Sequence, residues 1–174
     1  EAHGHRCIWY QCDEGDADPG TFFHYMAQAA RNAAPRRRIV LPRLKPEYFQ
    51  NIPAFARRHF EQLCSMLLSR TQHEFFIVLD NYQDVPDEES FHNMVACMLE
   101  AVLSGIHIVV ISRNNPPAAF ARMQANDELT LLRYSDLRFT LEESKALVHS
   151  RVLDLTPEEI KTLHEKTEGW ASGL

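Results

Sequence analysis

The chain has 174 residues, 45% of them apolar and 24% charged, with a net charge of −6 and a pI near 5.8. That is enough for one domain with a real core and the start of a second, and it argues against disorder. The acidic balance argues against a module that is basic throughout, as nucleic-acid binders usually are; no apolar run approaches the roughly 20 residues that span a bilayer, and the first residues lack the apolar stretch of a secretory signal.

Arg6 to Cys12, RCIWYQC, is short, apolar and aromatic-rich, and reads as a strand. The acidic loop DEGDADPG follows. Its Asp18–Pro19 pair supplies an N-cap and a proline at the first helical position. The helix it opens runs to about Ala33, with Phe22, Phe23, Met26, Ala29 and Ala30 on one face. Ala34 to Pro53 carries three prolines after Pro35 and a basic cluster, Arg36 to Arg38, and reads as an irregular connection. A second helix is expected from about Ala54 to Arg70. Phe75 to Asp80, FFIVLD, is a continuous apolar run ending on an acid, the pattern of a strand buried on both faces of a parallel sheet. A third helix is expected over Glu88–Leu103 with Gly105 as its stop. Ile106–Ser112, IHIVVIS, reads as another strand of the buried kind, and Ala118–Asn126 as a short helix. Leu129–Phe139 reads as one or two short strands. Thr140-x-x-Glu143 is a capping box opening a helix, and Thr156-Pro-Glu-Glu159 is a second helix start.

Strands separated by helices imply right-handed βαβ crossovers. The expected fold is therefore α/β, a three-layer parallel sheet with helices on both faces. The switch to helices near Thr140 places a domain boundary there, giving residues 1–139 and 140–174.

The four cysteines, Cys7, Cys12, Cys64 and Cys97, form no C-x-x-C pair and read as reduced thiols of a cytoplasmic protein. Zinc at His3, His5, Cys7 and Cys12 is rejected. A strand would point Cys7 and Cys12 to opposite faces, and no second ligand pair follows.

Ligands of open parallel sheets bind beyond the carboxyl ends of the strands. Asp13 and Glu14 follow the first strand, Asp80, Asn81 and Asp84 the second, Ser112 and Arg113 the third. Carboxylates beside one guanidinium suit a magnesium–nucleotide site. A strand-end acid holds magnesium through its water shell, and a neighbouring arginine reaches a γ-phosphate. Turn and capping roles for the acids, and a purely structural Arg113 pairing with Asp80 or Asp84, stand beside that reading. Trp9 and Trp170 read as packing residues, the arginine triplet as a solvated loop. The DEGDAD run fits no calcium-loop register. A phosphate-cradling G-x-x-x-x-G-K-[ST] is absent, since no lysine follows a glycine. No G-x-S-x-G elbow is present either. Ser112 is the only strand-end nucleophile of an alternative hydrolase reading, with no histidine placed near it.

Five ordered segments, WYQCDEGDADPGTFFHYM (Trp9–Met26), FIVLDNYQDV (Phe76–Val85), IVVISRNNPP (Ile108–Pro117), LRFTLEES (Leu137–Ser144) and TEGWASGL (Thr167–Leu174), cover nearly the whole chain. Together they resemble the nucleotide-binding domain of the MalT-like, large LuxR-type bacterial transcriptional regulators, which are signal-transduction ATPases of the STAND class. The resemblance implies a P-loop NTPase fold whose phosphate-binding loop lies before Trp9. It implies Asp80 as the acid that binds magnesium through water, Arg113 as the sensor arginine, and Thr140 onward as the start of a helical arm. Asn81 stands where the family often has a second acid, and Asp84 is the candidate to replace it as a weak catalytic group. ATP and magnesium are expected cofactors of the parent, not of this chain by itself, which is expected to be inactive. A small-molecule inducer, self-association, and DNA binding through a separate C-terminal helix-turn-helix are implied partners of the parent, with no membrane. A sheet missing the P-loop strand would leave edges and apolar faces bare, so self-association or repacking is expected of the chain. The competing reading is a non-enzymatic interaction module with a degenerate nucleotide site.

Overall fold

In the computed structural model, which describes residues 6–36, 38–68, 74–151, 155–170 and 173, two compact units form, Glu1–Ala125 and Asn126–Leu174. The first holds strands β1 (Arg6–Gln11), β2 (Phe75–Asp80) and β3 (Ile106–Val110), and helices α1 (Pro19–Ala33), α2 (Ile52–Leu68), α3 (Glu89–Leu99) and α4 (Ala121–Ala125). The second holds α5 (Tyr134–Leu137), α6 (Leu141–Ser150) and α7 (Pro157–Thr167). The α/β class and the parallel sheet agree with the sequence pattern.

The strands lie in the order β1-β2-β3, all parallel, with Ile8 opposite Ile77 and Ile77 opposite Ile108. Right-handed crossovers between strands laid down in that order put every connecting helix on the same face. The aromatic contacts fit this. Tyr10 of β1 meets Phe22 of α1 at 5.4 Å between ring centroids, Phe22 meets Phe91 of α3 at 5.5 Å, and Phe23 meets Phe55 of α2 at 4.9 Å, all edge-on. Each such pair adds about 0.5–1.5 kcal/mol beyond the area it buries. Ile8, Tyr10, Phe75, Ile77, Leu79 and Ile106 fill this face and are buried.

The opposite face differs from the three-layer expectation. Trp9 is 60% and Val109 41% exposed, so among the described residues the second helical layer is missing. This corrects the reading of Ile106–Ser112 as a doubly buried strand. β3 is an edge strand whose burial alternates, ends at Val110, and is covered on one side only. Only β2, flanked on both sides, approaches the continuous burial that its sequence implies.

Local signals set the element ends. Asp18 Oδ2 accepts the Thr21 amide at 2.8 Å and Pro19 opens α1, whose bounds match expectation. The connection to α2 contains a 3-10 turn, Pro46–Asn51. Ser69 and Arg70, at the expected end of α2, lie outside the described residues, as do His3, His5 and Arg37. Helix α3 stops at Leu99, before the expected Leu103. Gly105 adopts φ +91 and its carbonyl receives the Phe75 amide at 2.9 Å, so the stop residue also seats the neighbouring strand. Leu129–Phe139, expected to hold strands, contains none. Residues 129–133 pair with no strand, and a single helical turn follows at Tyr134–Leu137. Extended propensity without a partner ladder does not make a strand.

The second unit closes on itself. Both capping boxes form, at Thr140/Glu143 and Thr156/Glu159. The Phe139 amide donates to the Gly169 carbonyl at 2.8 Å, Ser144 pairs with His164 at 2.9 Å, and Tyr134 stacks on Trp170 with centroids 5.0 Å apart. Gly169 has φ +73, and a Cβ there would lie 2.4 Å from the Phe139 carbonyl oxygen. Gly169→Ala is therefore expected to cost roughly 1–3 kcal/mol, seen as lost protection of the Phe139 amide in hydrogen exchange.

One buried titratable group makes the stability depend on pH. His59 is 1% exposed, and desolvation lowers its pKa from 6.5 to about 4. The unfolded chain then takes up a proton that the fold refuses. This contribution is complete above pH 6.5 and is lost as pH falls toward about 4, with a slope of up to about 1.4 kcal/mol per pH unit. His59→Phe should remove this share of the acid sensitivity in urea titrations at pH 7 and pH 4.5, two values that take in most of the window.

Candidate functional site

The carboxyl ends of β1, β2 and β3 bring Asp13, Asp80, Asn81, Asp84, Ser112 and Arg113 to one edge of the sheet, as parallel topology requires. The strands stay paired past their formal ends. Cys12 N–H donates to the Asp80 carbonyl at 2.8 Å, and Ile111 N–H to the Leu79 carbonyl at 2.8 Å. Tyr82 N–H donates to the Ile111 carbonyl at 3.0 Å, which draws the loop after β2 onto the end of β3.

Asp80 is half-buried at the centre of this edge. Its Oδ1 accepts the Asn81 amide at 2.9 Å and its Oδ2 accepts the Trp9 indole N–H at 3.1 Å. An ionised carboxylate has about four acceptor positions, so two remain for water or a hydrated cation. The indole donor was not legible in the sequence. Trp9 is not a packing residue. It stands on the uncovered face two register positions before Asp80's own partner, Gln11, and reaches diagonally to the acid. An aromatic donor two residues before the end of the neighbouring strand was the available signal.

Asn81 adopts the left-handed conformation, φ 55. Asparagine is among the few side chains that tolerate it, and the chain turns there from strand into the 3-10 turn Tyr82–Asp84. Gln83 bridges two loops. Its Oε1 accepts the Arg113 amide at 3.1 Å, and its Nε2 donates to Asp84 Oδ1 at 3.1 Å. Gln83 too was missed, because a glutamine in a loop carries no charge signal.

The other members take local roles. Asp13 caps the 3-10 turn Glu14–Ala17, accepting from the Gly15 amide at 2.8 Å, while Asp16 accepts the Asp13 amide at 3.0 Å and the Tyr10 hydroxyl. Burial raises the Asp16 pKa, and desolvation together with the Asp16 hydrogen bond raises that of Tyr10. Ser112 Oγ accepts the Asn114 amide at 3.1 Å, a turn role. Cys12 is buried, and its thiol is pushed up to about 12 by desolvation and the surrounding carboxylates. Arg113 and Asp84 are exposed. No ion pair joins the Arg113 guanidinium to Asp80 or Asp84 among the described residues, so the structural pairing weighed from the sequence is not formed. No group of three or more His, Cys, Asp or Glu gathers as a metal cage among the described residues. A cation here would meet one carboxylate, Asp80, and keep most of its water.

If Gln83 couples the two loops, Gln83→Ala should speed hydrogen exchange of the Arg113 amide about tenfold, roughly one net hydrogen bond, whereas Gln83→Glu, which keeps the acceptor, should leave it protected.

No protein-family model matches the chain. It is 26% identical over 168 residues to the HTH-type transcriptional regulator MalT of Vibrio campbellii, 26% over 171 residues to that of Vibrio cholerae, and 25% over 169 residues to that of Serratia proteamaculans. No helix among the described residues is long and apolar enough to cross a membrane. Over 95% of its length, the chain is similar to the HTH-type transcriptional regulators named MalT, and it spans 18% of their length.

Proposed function

We propose that this chain is part of the nucleotide-binding core of an ATP-dependent switch in a bacterial transcriptional regulator, built on a P-loop NTPase fold. The observation that carries it is the placing of Asp80 and Arg113 at the ends of adjacent parallel strands, with Gln83 tying their loops together. Asp80 would hold magnesium through water, with Trp9 and the Asn81 amide orienting its carboxylate. Arg113, exposed and without an ion pair among the described residues, is free to meet a γ-phosphate. Magnesium–ATP would supply the energy difference between two states. Asp84 is a weaker candidate for orienting water. The similarity to MalT regulators supports the setting. In the whole protein, an inducer and ATP would favour a self-associating form, the residues from Thr140 would begin an arm that follows the nucleotide state, and a separate helix-turn-helix would bind DNA in the cytoplasm.

The uncovered face of the sheet supports the self-association and the added layer. Trp9 and Val109 stand bare on it, and both β1 and β3 are edges.

Asn81 favours a second reading, a regulator that binds partners with a degenerate nucleotide site, because the second acid of the resembled family is replaced by a neutral side chain. The full-length protein separates the two. Asp80→Ala and Arg113→Ala should each lower ATP-dependent transcription activation at least tenfold, about the loss of one charge-assisted contact, with Asp84→Asn doing less. Unchanged activation in both of the first two variants, with no ATP binding by calorimetry, would favour the interaction module.

A further inference from the structure

A second candidate site is lined by none of the residues that end β1, β2 or β3. A groove of about 330 Å³ runs along α1, between that helix and the segment 41–44. Gly20, His24, Ala27 and Arg31 recur at helical spacing and form one stripe of α1. Leu41 and Phe23 add apolar lining, and Arg31 of the helix and Arg43 of the segment add two guanidinium groups. No carboxylate lines it. Neither arginine has an ion pair among the described residues.

The stretch of sequence that supplies Arg31 and residues 41–44 to the lining is one-sided in charge too. Residues 31–58 carry eight arginines and lysines and one acid, Glu47, in a chain whose net charge is −6. The rest of the chain therefore has ten basic and 23 acidic residues, a net of −13. Segregation on this scale makes a local positive field that an anion would seek.

The ring of His59 forms part of the wall and gives a second, independent pointer to a ligand. Its Nδ1 lies 3.0 Å from the Pro42 carbonyl. A carbonyl only accepts, so Nδ1 carries the hydrogen and Nε2 is left as a bare acceptor. Nε2 has no partner, the one buried side-chain polar atom among the described residues in that position. A buried acceptor left unmade costs about 1–3 kcal/mol. A small shift of the His59 ring that opens Nε2 to a ligand's donor would recover part of it.

We infer that this groove binds a small organic anion with an apolar or aromatic body, its charge held between Arg31 and Arg43 and a hydroxyl or N–H donor at its inner end meeting His59 Nε2. The volume lies at the lower end of the range for small-molecule sites. None of the lining residues belongs to the loops after β2 and β3, so the inference is independent of the nucleotide reading.

Three probes test it by chemical-shift titration of the 174-residue chain. They are 4-hydroxybenzoate (charge, ring and donor), benzoate (charge and ring) and 4-hydroxybenzyl alcohol (ring and donor). The expected result is saturable shifts at Phe23, Ala27 and Leu41 with both carboxylates, the hydroxylated one about fivefold tighter, as one net hydrogen bond gives, and at least tenfold weaker binding of the alcohol. Arg31→Gln with Arg43→Gln should weaken both carboxylates about tenfold, two exposed ion pairs of about 0.7 kcal/mol each, without moving the melting temperature. His59→Leu should make the two carboxylates bind alike, and retained benzoate binding shows that this variant is folded. No saturation with either carboxylate by about 10 mM, weaker than roughly −3 kcal/mol, would overturn the proposal. So would an alcohol that binds as well as the acids.

Discussion

Phe22, fully buried, is the contact on which the first unit depends. It meets Tyr10, Phe23 and Phe91 edge-on and so joins β1, α1 and α3 at one node. Truncating a buried phenylalanine usually costs about 3–5 kcal/mol, a large part of the stability of a domain this size. The node also fixes geometry. Tyr10 leads through its hydroxyl to Asp16, and Asp16 accepts the Asp13 amide, so the loop after β1 is moored to the same core that carries the sheet. On the other side, Tyr82 lies against Phe91 with centroids 6.0 Å apart and pairs with His92 at 2.9 Å, which holds the loop after Asp80. The strand-end loops are therefore positioned from beneath by aromatic packing, and their polar atoms are arranged by what that packing leaves above.

Much of this was legible in the sequence where local chemistry dominates. The Asp18–Pro19 start of α1 and the two threonine capping boxes are short-range patterns with one good solution. Strand β2 was legible for a different reason: it is the middle strand, and central burial writes itself into the sequence as an unbroken apolar run. The same inference failed for β3. Its apolar run is similar, but its environment is an edge with one bare face, and no local pattern distinguishes a strand buried by this chain from one whose second face is left open. Leu129–Phe139 failed because strand propensity has meaning only beside a partner strand.

The strand-end site was half legible. Topology predicts which residues gather, and Asp80, Asp84 and Arg113 do gather. What connects them is not predictable from charge. The connecting groups are a tryptophan N–H, a glutamine amide and a left-handed asparagine, none of which titrates. Pattern reading favours ionisable residues because their chemistry is explicit. Neutral donors that orient them depend on a diagonal across two strands or a bridge between two loops, and those distances exist only once the chain is folded.

The two polar surfaces of the first unit divide its charge. The acids of the first acidic loop and of the loop after β2 follow the carboxyl ends of their strands, while the sequence of residues 31–58, chiefly the connection between α1 and α2, concentrates positive charge. Both arrangements resist simple neutralisation. At the edge, Asp80 is satisfied by neutral donors and not by Arg113, so neither charge is spent on the other. Along the groove, Arg31 and Arg43 face a lining without carboxylates. Ion pairs elsewhere, such as Arg57 with Glu100 at 2.6 Å, show that the chain pairs charges where geometry brings them together. Exposed pairs of this kind contribute about 0–1 kcal/mol, so leaving these charges unpaired costs the fold little. An unpaired charge keeps its full field for whatever approaches, and a cation at the edge or an anion in the groove would meet a charge that no internal partner has to release.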